Sequence, residues 1–367
     1  MSDTDKRFLA LALSLGRRGQ GNTWPNPAVG CVIVRDGRIV GRGWTAPGGR
    51  PHAEPQALAQ AGPLARGATA YVSLEPCAHH GQTPPCAEAL IAAGITRVVA
   101  PLADTDPRVS GRGFEILRAA GVEVSTGLLA EQAAHDHAGF FLRAGQQTRP
   151  WLTLKLASSF DGRIATATGE SQWITAPPAR RMVHALRARH DAVMVGAGTA
   201  RVDDPSLTVR DMGVTRQPLR IVISRRLDLP LSGQLARTAN EVPVWICHGP
   251  NTDPSLTSAW TGLGARLIPC ALNGRQVDPT SALHELGRLG LTRIFCEGGS
   301  TLAASLLHAD LVDELIGFTA GLAIGAEGLP AIGALGLAHL PEAPRFALSE
   351  TRALGPDIMH RWLRVPA

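Results

Sequence analysis

Hydrophobic and polar residues alternate along the first 150 positions in segments that suit helices and short strands in turn. The pattern predicts helices over 5–17, from 54, from 86, over 114–120 and over 129–143. It predicts strands over 28–35, 38–44, 70–74, 97–100 and 122–124, the first two forming a hairpin turned by Asp36-Gly37. Interleaved helices and strands are typical of a layered α/β domain.

The alternation restarts at Trp151, where the run 151–156 predicts the first strand of a second domain. Further predicted strands are 192–195, 219–223, 242–247, 293–296, 311–318 and 358–365, and predicted helices are 179–189, 280–289 and 301–307. The segment 145–150 is a polar link. We therefore predict two α/β domains, residues 1–147 and residues 148–367.

Length and composition agree with this division. A chain of 367 residues is long enough for two domains with a core each. Its 44% hydrophobic and 18% charged residues are typical of a globular protein. Acidic residues stand at positions 3 and 5, where a signal peptide carries basic ones, and no run is apolar enough to span a bilayer. We expect a cytoplasmic protein without a membrane partner.

The net charge and the number of cysteines limit which binding partners are expected. The net charge of +5 suits an anionic ligand, but the basic residues are scattered and form no stripe with aromatic residues. We therefore expect a small phosphorylated substrate and no nucleic acid. Six cysteines are too few for a disulfide scaffold, so metal binding or burial is expected of each.

One cluster of residue types points to a metal. His52, Cys77 and Cys86 offer one imidazole and two thiolates, a ligand set that leaves the fourth tetrahedral position of Zn²⁺ open for water. The alternatives are three unrelated buried residues, or a closed structural site with His79 or His80 as fourth ligand.

Glu54 follows His52 by two positions and suits a proton carrier between water and a departing amine. A His-x-Glu with Pro-Cys-x-x-Cys is the general pattern of zinc deaminases, although here eight residues separate Cys77 from Cys86. A closed structural site would give Glu54 no role. A nucleoside or tRNA deaminase would have the shorter cysteine spacing.

Three motifs stand out in the second domain: 154–165 with 169–175, 195–199 with 203–210, and 295–301. Lys155 lies in an apolar strand, either at an edge or facing a cleft. The second motif has Arg201 where a dinucleotide-binding fingerprint has its third glycine, and no helix pattern follows it directly. We therefore exclude the Rossmann fold.

Two further features of the second domain are suited to binding phosphate groups. Gly298-Gly299 precedes an apolar helix, so phosphate oxygens could approach backbone N–H groups at the positive helix end, although a tight turn uses the same residues. Arg225 and Arg226 follow the strand 219–223 and suit the 2′-phosphate of a cofactor, or are ordinary solvated charges.

Motifs in both predicted domains resemble those of a known enzyme family. The segment 74–86 is similar to the zinc loop of the bacterial bifunctional riboflavin biosynthesis deaminase-reductase family, and 26–31 resembles that family's N-terminal substrate motif. The three motifs of the second domain resemble, in order, the family's reductase domain. This chain departs from the family at Thr45, at Pro55 and at 318–321, where the family usually has histidine, valine and an Ala-Pro.

The resemblance implies a cytidine-deaminase-like three-layer α/β/α domain with zinc, followed by a dihydrofolate-reductase-like α/β domain that uses NADPH. It implies deamination of 2,5-diamino-6-(5-phosphoribosylamino)pyrimidin-4-one and reduction of the ribosyl group of the product to ribityl. We also expect a homo-oligomer. An RNA-binding protein that kept only a deaminase shell would predict a damaged proton carrier, whereas Glu54 is intact.

The resemblance also implies site residues. Asn26 would contact the pyrimidine ring, although a turn residue before Pro27 explains it as well. The nucleotide-site residues that it implies are Ala157, Trp173, Thr199, Asp203, Gly299, Ser300, Thr301, Leu302, Ala303, Ala304 and Ser305. The substrate-holding residues that it implies are Ser171, Arg187, Leu207, Arg210 and Glu297. Lys155 and Glu297 are our candidates for steering the proton during reduction.

Overall fold

The computed structural model of the chain describes residues 2–80, 84–106, 109–145 and 147–365. It divides into two compact units, Met1–Thr148 and Arg149–Ala367, a division one residue away from the boundary expected from the sequence. No helix in the described ranges combines the length and the apolar character needed to cross a bilayer.

The first unit is built on a five-stranded sheet in the order β2-β1-β3-β4-β5. Its strands are β1 (Gly30–Arg35), β2 (Arg38–Trp44), β3 (Thr69–Val72), β4 (Arg97–Val99) and β5 (Glu123–Ser125). Its helices are α1 (Asp3–Gly16), α2 (Ala53–Ala61), α3 (Cys86–Ala92), α4 (Arg112–Ala119) and α5 (Ala130–Ala144). β1 pairs antiparallel with β2 and β3, and β3, β4 and β5 run parallel.

Side chains of β1 alternate between two hydrophobic clusters, one on each face of this sheet. Cys31 and Ile33 pack with residues of α2, α3 and α4, whereas Val32 packs with residues of α1. The β1–β2 turn has positive φ at both central residues, Asp36 at 50° and Gly37 at 73°, as a type I′ hairpin turn requires. The unit is therefore a three-layer α/β/α domain.

The second unit contains a nine-stranded sheet in the order β11-β10-β9-β8-β14-β6-β15-β18-β17. Its strands are β6 (Trp151–Ser159), β8 (Ala192–Gly196), β9 (Leu219–Ile223), β10 (Val244–His248), β11 (Arg266–Pro269), β14 (Arg293–Cys296), β15 (Glu314–Ala320), β17 (Phe346–Leu354) and β18 (Asp357–Arg364). Two small antiparallel pairs are β7 (Arg163–Ala165) with β16 (Leu329–Pro330), which are distant in the chain, and the hairpin of β12 (Leu272–Asn273) with β13 (Gln276–Val277). The helices are α6 (Pro177–Arg187), α7 (Ala197–Asp203), α8 (Gln234–Arg237), α9 (Pro254–Gly262), α10 (Pro279–Arg288) and α11 (Ser300–His308).

The strands from β11 to β15 in this order are parallel, and β18 and β17 close the sheet antiparallel. Cys296, the last residue of β14, lies beside Leu154 of β6 and Met194 of β8, and β6 continues beyond this point to Ser159. The carboxyl ends of parallel strands are where α/β sheets bind ligands. Lys155 and Glu297, the next residues along β6 and after β14, therefore lie at the carboxyl end of β14.

One expectation about this unit is wrong, and one edge strand was not predicted. α7 follows β8 directly, although the sequence showed no helix pattern there. A seven-residue helix that contains Gly198 is too short to display a 3.6-residue period, and Arg201 lies within it. The edge strand β17 was also missed, because most of its side chains are exposed and no apolar alternation marks it.

Gly30 allows α1 to pack closely on β1, and its replacement tests this packing. A Cβ at Gly30 would collide with the carbonyl oxygen of Ala12 and lie 2.5 Å from the nitrogen of Gly16. Since these are backbone atoms of a helix, Gly30→Ala is expected to lower the free energy of unfolding of the first unit by about 3 kcal/mol. This free energy is measured by urea unfolding, with hydrogen exchange in peptides that contain β1 as the signal.

Gly37→Asn is the matched control in the same hairpin, because a Cβ there meets nothing within 4 Å and asparagine tolerates positive φ. We expect it to change the free energy of unfolding by less than about 1 kcal/mol. Equal stability of the two variants would contradict the packing argument.

Candidate functional site

Three elements of the first unit bring the predicted metal ligands together. His52 is the residue immediately before α2, Cys86 is the first residue of α3, and Cys77 lies in the loop after β3. His52 Nδ1 lies 3.3 Å from Cys86 Sγ and 3.7 Å from Cys77 Sγ. The backbone N–H of Cys86 donates to Cys77 Sγ over 3.3 Å, which favours a thiolate there.

This donor set fits zinc. The three ligand atoms lie within 4.8 Å of one another, and an imidazole with two thiolates is a set that tetrahedral Zn²⁺ accepts. Within the described ranges no further His, Cys, Asp or Glu joins the group. The side chain of His80 is 74% exposed and its Nε2 lies 3.2 Å from Glu88 Oε1. The described residues thus supply three ligands, which favours the open arrangement over the closed one.

Glu54 lies in the first turn of α2 and is 3% exposed. Burial, together with the negative charge of Cys77, raises the pKa of its carboxyl group to about 7, against the opposing effect of His52. A carboxyl group with such a pKa can both take and give a proton near neutral pH. This is the property that a proton carrier needs.

Glu75 is a residue of this site that the sequence reasoning gave no role. Its carboxylate accepts backbone N–H groups from Asp104 at 2.9 Å, Gly111 at 2.9 Å, Gly113 at 2.8 Å and Phe114 at 3.3 Å. The first turn of α4 and residues before it are therefore held against the loop that carries Cys77. An acidic residue directly before Pro76-Cys77 was the available signal.

The two positions on the proposed substrate side have defined surroundings. Gly49, with φ of 86°, lies against the side-chain amide of Asn26, so close that a Cβ at this glycine would overlap it. Thr45 is 2% exposed, and its hydroxyl accepts the N–H of Val29 at 3.0 Å. The residue that replaces the family's histidine therefore ties the end of β2 to the start of β1.

A cleft of about 1010 Å³ opens at the carboxyl edge of the second unit's sheet. Many of the residues predicted for the reductase site line it: Lys155, Ala157, Ser171, Thr199, Asp203, Arg225, Glu297, Gly299, Ser300, Thr301, Leu302 and Ser305. The fold thus gathers residues from three separate sequence motifs into one cavity.

Glu297 is the charged centre of this cleft. Its carboxylate accepts two hydrogen bonds from Arg187, at 2.5 Å to Oε1 and 2.9 Å to Oε2, and Lys155 Nζ lies 3.8 Å from Oε2. Burial alone would raise the pKa of Glu297, but Arg187 and Lys155 outweigh it and lower the pKa to about 2. Burial lowers the pKa of Lys155, and Glu297 opposes that effect.

Two turns beside Glu297 suit a pyrophosphate. Gly196 donates its N–H to the carbonyl of Gly298 at 2.9 Å, and Gly299 donates its N–H to Thr199 Oγ1 at 2.9 Å. These bonds hold the β8–α7 and β14–α11 turns side by side, and Gly298 has φ of 86°. α11 begins directly after them, so its N-terminal N–H groups face the same region. The cleft therefore fits a dinucleotide such as NADPH.

Other predicted residues lie outside the lining of the cleft. Ala303 and Ala304 face the core, at 0% and 7% exposed, because α11 turns them away. Trp173 is 65% exposed and its ring lies 4.6 Å from the guanidinium carbon of Arg180.

The predicted substrate residues Leu207 and Arg210 belong to the loop after α7. Leu207 is 2% exposed, and Arg210 Nη1 donates to Ser206 Oγ at 3.2 Å. Arg187, which holds Glu297, also donates to the carbonyl of Thr208 at 2.8 Å. This loop is therefore fixed beside the charged centre of the cleft.

Comparisons with known proteins give a match for each of the two units. A family model described as "RibD C-terminal domain" matches residues 150–360, and one described as "Cytidine and deoxycytidylate deaminase zinc-binding region" matches residues 2–102. The chain is 43% identical to riboflavin biosynthesis protein RibD of Escherichia coli (strain K12), over 96% of this chain and 98% of that protein.

Solved structures give the same result. The chain is similar to Acinetobacter baumannii RibD, with a TM-score of 0.87, 36% identity and 99% of each chain covered. It is also similar to a diaminohydroxyphosphoribosylaminopyrimidine deaminase/5-amino-6-(5-phosphoribosylamino)uracil reductase from Thermotoga maritima, with a TM-score of 0.85, 32% identity and 99% of each chain covered.

Removal of one ligand tests the metal centre. Cys86→Ala takes away one of the three donors, so we expect purified protein to lose most of its zinc, which elemental analysis measures. The control His80→Ala removes an exposed imidazole of the same loop and is expected to keep about one zinc per chain. Equal zinc loss in both variants would mean that His80 is a ligand.

Proposed function

The chain belongs to the RibD family of riboflavin biosynthesis proteins, and from this membership we propose that it catalyses two successive reactions at two separate sites. The first is zinc-dependent hydrolytic deamination of 2,5-diamino-6-(5-phosphoribosylamino)pyrimidin-4-one. The second is NADPH-dependent reduction of the ribosyl side chain of the product, which gives 5-amino-6-(5-phosphoribitylamino)uracil. The proposal rests on the presence of two sites in one chain. One is a set of three zinc ligands near Glu54, and the other is a cleft around Glu297 that fits a dinucleotide.

In the deaminase, His52, Cys77 and Cys86 would hold zinc, which supplies Lewis-acid activation of water. Glu54 would accept a proton from that water and deliver it to the exocyclic nitrogen that leaves as ammonia. Its raised pKa supports both halves of this transfer. Asn26, held against Gly49, would orient the pyrimidine ring.

In the reductase, NADPH would supply a hydride to C1 of the ring-opened ribose imine. The Gly298-Gly299 turn and α11 would receive the pyrophosphate, which leaves Lys155 and Glu297 beside the reacting carbon. Lys155 is a largely buried cation with a lowered pKa, so it would place a proton at the reaction centre. Glu297, fixed by Arg187, would hold Lys155 in position.

A phosphorylated pyrimidine fits the family and the net charge of +5. We infer that the protein works in the cytoplasm as a homo-oligomer and binds no nucleic acid. Sedimentation of the purified protein with and without RNA tests the last two points.

Replacement of Glu54 separates the two reactions. Glu54→Gln keeps the size of the side chain but removes the proton carrier, so ammonia release from the diaminopyrimidine ribotide is expected to fall at least about a thousandfold. NADPH oxidation with supplied deaminated product should stay within about twofold of the wild-type rate, because Glu54 belongs to the other unit. Ammonia release and NADPH absorbance are followed separately.

Glu88→Gln serves as its control, since Glu88 lies in the first turn of α3 without being a predicted ligand. It should retain both activities. If a folded, zinc-loaded Glu54→Gln protein lost both signals together, the assignment of two independent sites would be wrong.

Replacement of Glu297 tests the reductase. Glu297→Gln removes the carboxylate that opposes the lowering of the Lys155 pKa, so this pKa is expected to fall further and a smaller fraction of Lys155 to carry a proton near neutral pH. We expect kcat for NADPH oxidation to drop about a hundredfold or more while ammonia release is unchanged. Glu285→Gln, on α10, should leave both rates unaltered; a wild-type kcat in Glu297→Gln would exclude its role.

A further inference from the structure

The reductase cleft has a basic end, remote from Lys155 and Glu297. We call it the arginine end, and it comprises the lining residues Arg201, Arg225, Arg226 and Arg275 together with Asp228. Four guanidinium groups and one carboxylate leave a local net charge of +3. Such an excess of positive charge in a cleft attracts an anionic group.

The arginines of this end differ in their partners. Asp228 binds Arg226 at 2.9 Å through Oδ2 and Arg201 at 3.2 Å through Oδ1, so both of its oxygens are engaged. Throughout the described part of the chain, neither Arg225 nor Arg275 forms an ion pair or a side-chain hydrogen bond. Two guanidinium groups thus remain available for a ligand.

Arg275 reaches the cleft from the β12–β13 hairpin, at a turn where Gly274 has φ of 58°. Gly249, after β10, brings this hairpin close to Arg225. The N–H of Gly249 donates to the carbonyl of Arg225 at 3.0 Å, and a Cβ there would lie 3.1 Å from Leu272 Cδ2 and 3.4 Å from Arg225 Cγ. The stem of Arg225 and the start of the hairpin therefore approach one point.

The strand order gives the distance between the two ends of the cleft. β6, which carries Lys155, is separated from β9, which precedes Arg225, by β14 and β8. Three strand intervals of about 4.8 Å amount to roughly 14 Å. The glycine turns after β8 and β14 lie between these strands. A dinucleotide with its pyrophosphate on those turns and its reactive ring beside Lys155 therefore has its second nucleoside at the arginine end.

We propose that Arg275 is a cofactor-specificity residue, which binds together with Arg225 the 2′-phosphate that distinguishes NADPH from NADH. This inference rests on the proposed reductase function. Guanidinium groups bind phosphate oxygens through charge-assisted hydrogen bonds, and two groups can share one phosphate. NADH lacks that phosphate, so it gains nothing from Arg275. The hairpin, rather than the sheet edge alone, then selects the cofactor.

Binding measurements on the full-length, zinc-loaded protein without substrate test this role. Titration calorimetry would give the dissociation constants of NADPH and NADH for the wild type and for Arg275→Gln. The variant is expected to bind NADPH about tenfold more weakly and NADH within about twofold of the wild type. The fragment 2′,5′-ADP should weaken by the same factor as NADPH, because it carries the same phosphate.

Arg288→Gln is the matched control, since Arg288 is also an exposed arginine of this unit but lies on α10 beside Glu285 and outside the cleft lining. It should alter neither dissociation constant. Equal weakening of NADPH and NADH in Arg275→Gln, or no change in either, would overturn the role of Arg275. Failure of the wild type to bind either dinucleotide would instead overturn the reductase function itself.

Discussion

Buried carboxylates at the ends of strands organise both units, because each must find donors to offset its loss of hydration. Glu75, after β3, collects four backbone N–H groups and so orders the segment before α4. Asp313, before β15, binds Arg149 at 2.7 and 2.8 Å and accepts the N–H of Leu152. Glu297, after β14, accepts two hydrogen bonds from Arg187. The pairings of Glu75 and Glu297 position loops beside the two sites, whereas Asp313 joins the start of β6 to the start of β15.

Glu54 shows what happens when a carboxyl group is as deeply buried but receives fewer donors. It is 3% exposed and Glu75 is 4% exposed, yet Glu75 is surrounded by N–H groups whereas Glu54 faces the thiolate of Cys77. Burial and that charge raise the pKa of Glu54, so its proton can move near neutral pH. Two glutamates of one unit, alike in burial, thus suit different roles, one structural and one chemical.

Much of this architecture could be predicted from the sequence. The two-domain α/β fold is confirmed, since alternation along β1 and β6 marked the sheets and Asp36-Gly37 marked the hairpin. The spacing of His52, Cys77 and Cys86 indicated a metal group that the fold does bring together. These signals are local, so a single sequence contains them.

Features that depend on distant contacts could not be predicted. The helix α7 was too short to show a period, and only the helical path of α11 reveals that Ala303 and Ala304 face the core. The role of Glu75 could not be predicted, because the backbone N–H groups that it binds lie 29–39 residues further along the chain. Arg275 lies on a hairpin whose exposed residues show no hydrophobic pattern, and only the folded structure reveals that it lines the cleft.

The order of the strands also sets the size of ligand that the reductase cleft can recognise. Because roughly 14 Å of sheet separates the β6 end from the β9 end, a nicotinamide mononucleotide bound beside Lys155 could not reach Arg225 or Arg275. An adenine nucleotide bound at the arginine end would likewise leave Lys155 without a reaction partner. With the cofactor placed as we propose, discrimination in favour of the intact dinucleotide would be a property of the sheet topology, before any individual side chain is considered.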